Sequence, residues 1–146
     1  SMPSVFNAQW DYRVYGGTGS DGTSFNYGPM TGIGNDASII YEKGMSGAVL
    51  VVSFIEHLGE RVELRYNGDL LASKPFTLVN PSYRRVVVDV SSTNSISISV
   101  GGSMLISTDL SGYDNLTKTG WRFGFAARTG AANNEHSIDN LAISGL

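Results

Sequence analysis

Three carboxylates, Glu56, Glu60 and Glu63, stand close together in the order Glu-His-Leu-Gly-Glu-Arg-Val-Glu. Two carboxylates on one strand face could act as acid and nucleophile in glycoside hydrolysis. Here Gly59 interrupts the strand, and Glu60 and Glu63 differ by an odd number, which sends them to opposite faces. They read as surface carboxylates flanking a turn. The two histidines, His57 and His136, lie far apart, the chain has no cysteine, and no G-x-S-x-G elbow is present. A nucleophilic triad or a Cys/His metal centre therefore has no basis, and both histidines read as solvated or hydrogen-bonded. The chain is expected not to be an enzyme.

Other residues are suited to binding. Asp139 interrupts an otherwise apolar, alternating final segment, where a carboxylate is costly unless paired, coordinated or turned to solvent; Arg122 and Arg128 are candidate partners. Trp10, Tyr12, Tyr15 and Tyr27 flank a glycine-rich stretch and could present flat rings to an apolar ligand face. The setting of Tyr15 and Tyr27 among Gly, Asn and Ser predicts exposure, whereas Trp121 and Phe123 are expected in a core. The polar segment 129–136 offers amide donors and acceptors, and also fits a plain solvated connection. Asn115-Leu116-Thr117 is a glycosylation sequon.

Strands must position these groups. Segment 95–100 alternates Ser with Ile and Val, and 61–66 alternates equally well before Asn67-Gly68, the pair suited to a tight hairpin turn. A return strand over 69–73 follows, and Gly101-Gly102 predicts a second hairpin joining 95–100 to 104–108. Further strands are expected over 5–10, 37–41, 48–55, 76–79, 83–90, 121–127 and 136–144. Residues 16–36 read as a long loop with one short strand near 25–27, and 109–120 as another polar connection. Regular strand spacing without an amphipathic helix predicts an all-β fold, an antiparallel two-sheet β-sandwich.

Composition agrees. The 146 residues include 18 Gly, and only 16% are charged, below the usual quarter, which argues against a helical bundle. A net charge of −3 with no Lys/Arg run argues against nucleic acid, and no apolar stretch is long enough for membrane insertion. Ser1-Met2 read as an expression-tag scar ahead of a single domain over 3–146.

Near the C-terminus the residues resemble a known family. The run 121–136, Trp-Arg-Phe-Gly-Phe-Ala-Ala-Arg-Thr-Gly followed by Ala-Ala-Asn-Asn-Glu-His, resembles the late strand and sugar-facing loop of legume-type (L-type) lectins. The ending Ile138-Asp139-Asn140-Leu141-Ala142-Ile143 looks closer to lectin-like modules of large extracellular proteins, and 83–108 fits the wider concanavalin-A-like superfamily. The resemblance implies a jelly-roll, a non-catalytic carbohydrate-binding role with a glycan or glycoprotein partner, and an extracellular or cell-surface location. It points to Asn133, Asn134, Glu135 and His136, with Tyr15 and Tyr27, as ligand contacts. It also implies a structural calcium (Ca2+) at Asp139, completed by Asp11 and Asn7. L-type lectins hold sugar with a loop-borne Asp, a Gly and an Asn beside a paired metal site of closely spaced acidic residues. That acidic spacing is missing here, where Asp21, Asp36 and Asp89 stand isolated. The alternative role is a protein-interaction or structural adhesion module of laminin-G-like type without a sugar site.

Overall fold

In a computed structural model, residues 3–31 and 39–145 are described. Ten strands follow in order: β1 (Phe6–Tyr15), β2 (Gly22–Gly28), β3 (Leu50–Ile55), β4 (Arg61–Tyr66), β5 (Asp69–Pro75), β6 (Asn80–Val90), β7 (Ser95–Val100), β8 (Ser103–Asp109), β9 (Arg122–Arg128) and β10 (Glu135–Gly145). They form two five-stranded antiparallel sheets, ordered β10-β1-β6-β7-β8 and β5-β4-β3-β2-β9. This is the expected two-sheet sandwich.

Alternation builds the core. Along β1, Phe6, Ala8, Trp10, Tyr12 and Val14 point inward and are buried, while Asn7, Gln9, Asp11, Arg13 and Tyr15 face outward. Trp10 stacks on Phe25 at 5.1 Å and Phe6 meets Tyr27 edge-on at 5.1 Å, tying the sheets together through ring contacts. Each such buried side chain contributes roughly 1.5–3 kcal/mol. The Asn67-Gly68 turn has both φ angles positive, at 50° and 84°, as the hairpin reading requires. Gly101 and Gly102 are likewise positive, at 58° and 82°.

Three expectations are corrected. Within the supposed long loop, β2 is a seven-residue strand buried on both faces. Its polar residues are satisfied by a strap across the outer face: Ser24 Oγ donates to the Tyr41 carbonyl at 2.5 Å, and Met45 N–H donates to Asn26 Oδ1 at 2.9 Å. Of the strand expected over 37–41, positions 37 and 38 lie outside the described residues, as does Asp36. Tyr41 instead opens a 3-10 turn, Tyr41–Lys43. Segment 76–79 is no strand, because the chain there crosses from one sheet to the other between β5 and β6. The freed N–H groups of Leu78 and Val79 donate to Glu60 Oε1 at 3.1 and 2.7 Å.

The last strand carries a bulge. Gln9 pairs with Ala142 and Asp11 with Asp139, so Trp10 faces two residues, Asn140 and Leu141. Asn140 takes a left-handed φ of 52°. The connection 110–121 is more than a polar link: Leu110, Tyr113 and Lys118 are buried in it, and Lys118 Nζ donates to the Tyr113 and Leu116 carbonyls at 2.7 and 2.9 Å. Trp121 is buried as expected, and Phe123 is half-buried against the core. Among the described residues, no helix is long and apolar enough to cross a membrane.

Candidate functional site

Three connections meet at one end of the sandwich: 16–21 between β1 and β2, 56–60 between β3 and β4, and 129–134 between β9 and β10. The outer two are laced by their backbones. Thr18 and Gly19 N–H donate to the Asn133 carbonyl at 2.6 and 3.1 Å, and Asn133 N–H donates to Thr18 Oγ1 at 3.0 Å. Gly17 allows this approach, since a Cβ there would collide with that same carbonyl.

Asp21 sits at the junction. Its N–H donates to the Arg128 carbonyl at 3.0 Å, and its carbonyl accepts from Glu56 and His57 N–H at 3.0 and 3.4 Å. Its carboxylate accepts a hydrogen bond from Ser20 Oγ and lies 3.6 Å from Arg128 Nε. Arg128 also faces the buried Glu42, at 3.6 Å, so one guanidinium balances two acids. Gly130 stands opposite: a Cβ there would be 3.3 Å from Asp21 Oδ2. A carboxylate, a bare glycine and the exposed Asn133 thus share one rim.

Glu56 lies beneath it. Its side chain is only 1% exposed and accepts from Asn134 Nδ2 at 3.3 Å and His136 Nε2 at 2.5 Å. The surface reading of the carboxylates is therefore corrected for Glu56, and also for Glu63, which is buried with Arg61 Nε and Arg65 Nη1 each at 2.6 Å. Burial alone would raise the Glu63 carboxyl, but the two guanidinium partners override it and hold it below the ordinary carboxylate range.

The sequence-predicted residues scatter around this rim. Asn133 and Glu135 are exposed; Asn134 is buried and His136 half-buried, both turned inward to Glu56. Glu135 instead pairs with Arg13 at 3.3 Å. The exposure expected of Tyr27 is corrected: it is fully buried in the aromatic core and donates its hydroxyl to the Pro3 carbonyl at 2.7 Å. Trp10 and Tyr12 are buried too, so no such platform forms. Tyr15 is half-buried on the outer sheet face, where the Arg13 guanidinium lies over its ring at 4.4 Å and over Tyr83 at 4.5 Å.

The residues expected to hold calcium, Asp139, Asp11 and Asn7, are engaged with other partners. Asp139 is exposed and accepts from its neighbour, the Asn140 N–H, at 2.7 Å. Asp11 holds Arg85 Nε and Asn140 Nδ2, each at 2.7 Å, and these bonds keep its carboxyl below the ordinary range. Asn7 donates to Asp89 instead. In this arrangement the Arg85 guanidinium already balances the Asp11 charge. Among the described residues, no group of three or more His, Asp or Glu side chains converges as a metal site.

Sequence reasoning named Asp21, Glu56 and Arg128 in other settings and missed Glu42, and it did not bring the four together. The one local signal was Asp21 standing before Gly22, where a Cβ would strike the Phe54 carbonyl.

No family model and no curated protein matches the sequence. Solved structures do. Lectin II from Ulex europaeus superposes with a TM-score of 0.79 at 16% identity, over 97% of this chain and 73% of that one. The VIP36 exoplasmic/lumenal domain, in a Ca2+/Man3GlcNAc-bound form, gives 0.73 at 15% identity over 99% and 71%. The carbohydrate recognition domain of Emp46p, in a potassium-bound form, gives 0.72 at 16% identity over 100% and 74%. The chain has the legume-like lectin fold.

Proposed function

We propose that this chain is a non-catalytic carbohydrate-binding, lectin-like module of a larger secreted or cell-surface protein, and that its glycan site is the rim around Asp21. The observation that carries this reading is the Asp21 carboxylate facing Gly130 across two loops held together by hydrogen bonds. A carboxylate accepts from two neighbouring sugar hydroxyls at once, and a glycine opposite it lets a pyranose ring approach the backbone. Asn133, exposed on the same loop, supplies amide donors. Glycans bound by solved proteins of this fold, Man3GlcNAc in VIP36 and galactose in the Ulex lectin, support the ligand class, and the lumenal origin of VIP36 supports the location.

The Asp21 rim is held by Arg128, Ser20 and backbone bonds, so the reading needs no calcium. A glycan array run with calcium and again with chelator is expected to show the same saccharides bound in both. Asp21→Ala is expected to weaken the best of them about tenfold or more, the size of a hydrogen-bonded charge. Gly130→Val is expected to block binding by crowding the carboxylate. An array with no saccharide above background, or an Asp21→Ala protein that binds as well as the parent, overturns the reading.

A further inference from the structure

The flank of the sandwich below the Asp21 rim is open, because β9 and β10 are each the last strand of their sheet. Between them lies a cleft of about 160 Å³, lined by Thr23, Phe125, Ala126, Ala127, His136 and Ile138. We propose that this cleft is a binding site for a single apolar ring bearing one hydroxyl, a ligand of the phenol class.

Size and lining argue for a ring. An apolar protein cavity of about 150 Å³ accommodates benzene, and this cleft is of that order. Five of its six lining residues offer methyl groups or an aromatic face, and Ile138 is 43% exposed at its mouth. The sixth, His136, supplies the polar point, with a side chain only 7% exposed. Free saccharides, which need several polar partners, do not match such a wall.

Hydrogen bonding argues for the hydroxyl. His136 Nε2 is 2.5 Å from Glu56 Oε1 and donates its proton to that carboxylate. A neutral imidazole with Nε2–H committed carries a lone pair on Nδ1. Among the described residues, nothing hydrogen-bonds Nδ1. Thr23 Oγ1 donates to the Tyr12 hydroxyl at 3.0 Å and keeps lone pairs of its own, a second acceptor on the same wall. The cleft therefore presents acceptors and no free side-chain donor in a largely apolar wall, which favours a ring carrying an O–H donor. The site does not depend on the glycan reading, since no residue of the Asp21–Gly130 rim lines it.

The test is a titration of the protein with phenol and with toluene, following the methyl NMR signals of Ala126, Ala127 and Ile138. Phenol is expected to shift them saturably in the millimolar range. Toluene, without the O–H, is expected to bind about fivefold more weakly, the worth of one neutral hydrogen bond. Ala127→Phe, at an exposed position that tolerates bulk, is expected to fill the cleft and abolish the shifts while leaving the rest of the spectrum unchanged. No saturable shift, or shifts that survive Ala127→Phe, overturns the site. Equal affinity for phenol and toluene overturns the hydrogen-bonding role of His136 on which the ligand class rests.

Discussion

At Glu56, one residue serves three partners from different parts of the chain. Its N–H fixes the Asp21 carbonyl, and its carboxylate holds Asn134 and His136. Replacing it by Ala leaves a buried amide and a buried imidazole without their acceptor, which costs about 1–3 kcal/mol per stranded group. Glu56→Ala is therefore expected to lower the urea midpoint and to speed amide exchange over 129–136. Glu56→Gln, which keeps an acceptor oxygen, is expected to retain more of both. If exchange in that loop is unchanged in Glu56→Ala, the loop is held by something else. Nothing near Glu56 in sequence announces this, because Asn134 and His136 are 78 and 80 positions away. Periodicity reports which face of a strand a residue occupies, not which distant loop folds over it. For the same reason Asn133 and Asn134 were legible as members of one polar loop, while their opposite orientations were not.

Strands were read well where one face meets solvent and the other the core. β1 and β7 alternate in sequence because they alternate in burial. β2 escaped because both its faces are covered, so Ser24 and Asn26 signal a loop although they are buried hydrogen-bonding residues. β10 reads in sequence as a regular strand, but Asn140 and Leu141 form a bulge opposite Trp10. Asn140 is suited to this because Asn tolerates the left-handed region, and its Nδ2 reaches Asp11. Asn140→Val should cost about 1–2 kcal/mol from backbone strain in addition to the lost hydrogen bond. Asn140→Gly removes the hydrogen bond without the strain and should cost less. Denaturation midpoints in the order parent, Gly, Val would support this assignment. A Val variant as stable as the parent would show that β10 pairs without the bulge.

Across the whole molecule, the core is rich in tyrosine, and that sets its response to alkali. Burial raises Tyr12, Tyr27, Tyr66 and Tyr113 above the ordinary value of 10, with the nearby Glu56 charge adding to the effect at Tyr12. Tyr27 is pushed up to about 12. Below pH 10 these tyrosines keep their protons in both the folded and unfolded chain, and their contribution to stability is fully present. Above it the unfolded chain gives up protons that the folded core retains, so stability falls as pH rises towards the folded values. Lys118 acts in the opposite sense: burial holds its ammonium below the ordinary 10.5, so the folded chain releases that proton first and gains stability with rising pH up to 10.5. One lysine set against four tyrosines leaves the balance towards unfolding. The protein is expected to unfold cooperatively between about pH 10 and 12, with tyrosinate absorbance rising as near-ultraviolet circular dichroism collapses. If all seven tyrosines titrate smoothly near 10 while the dichroism persists, the buried hydroxyls are not holding their protons through the fold.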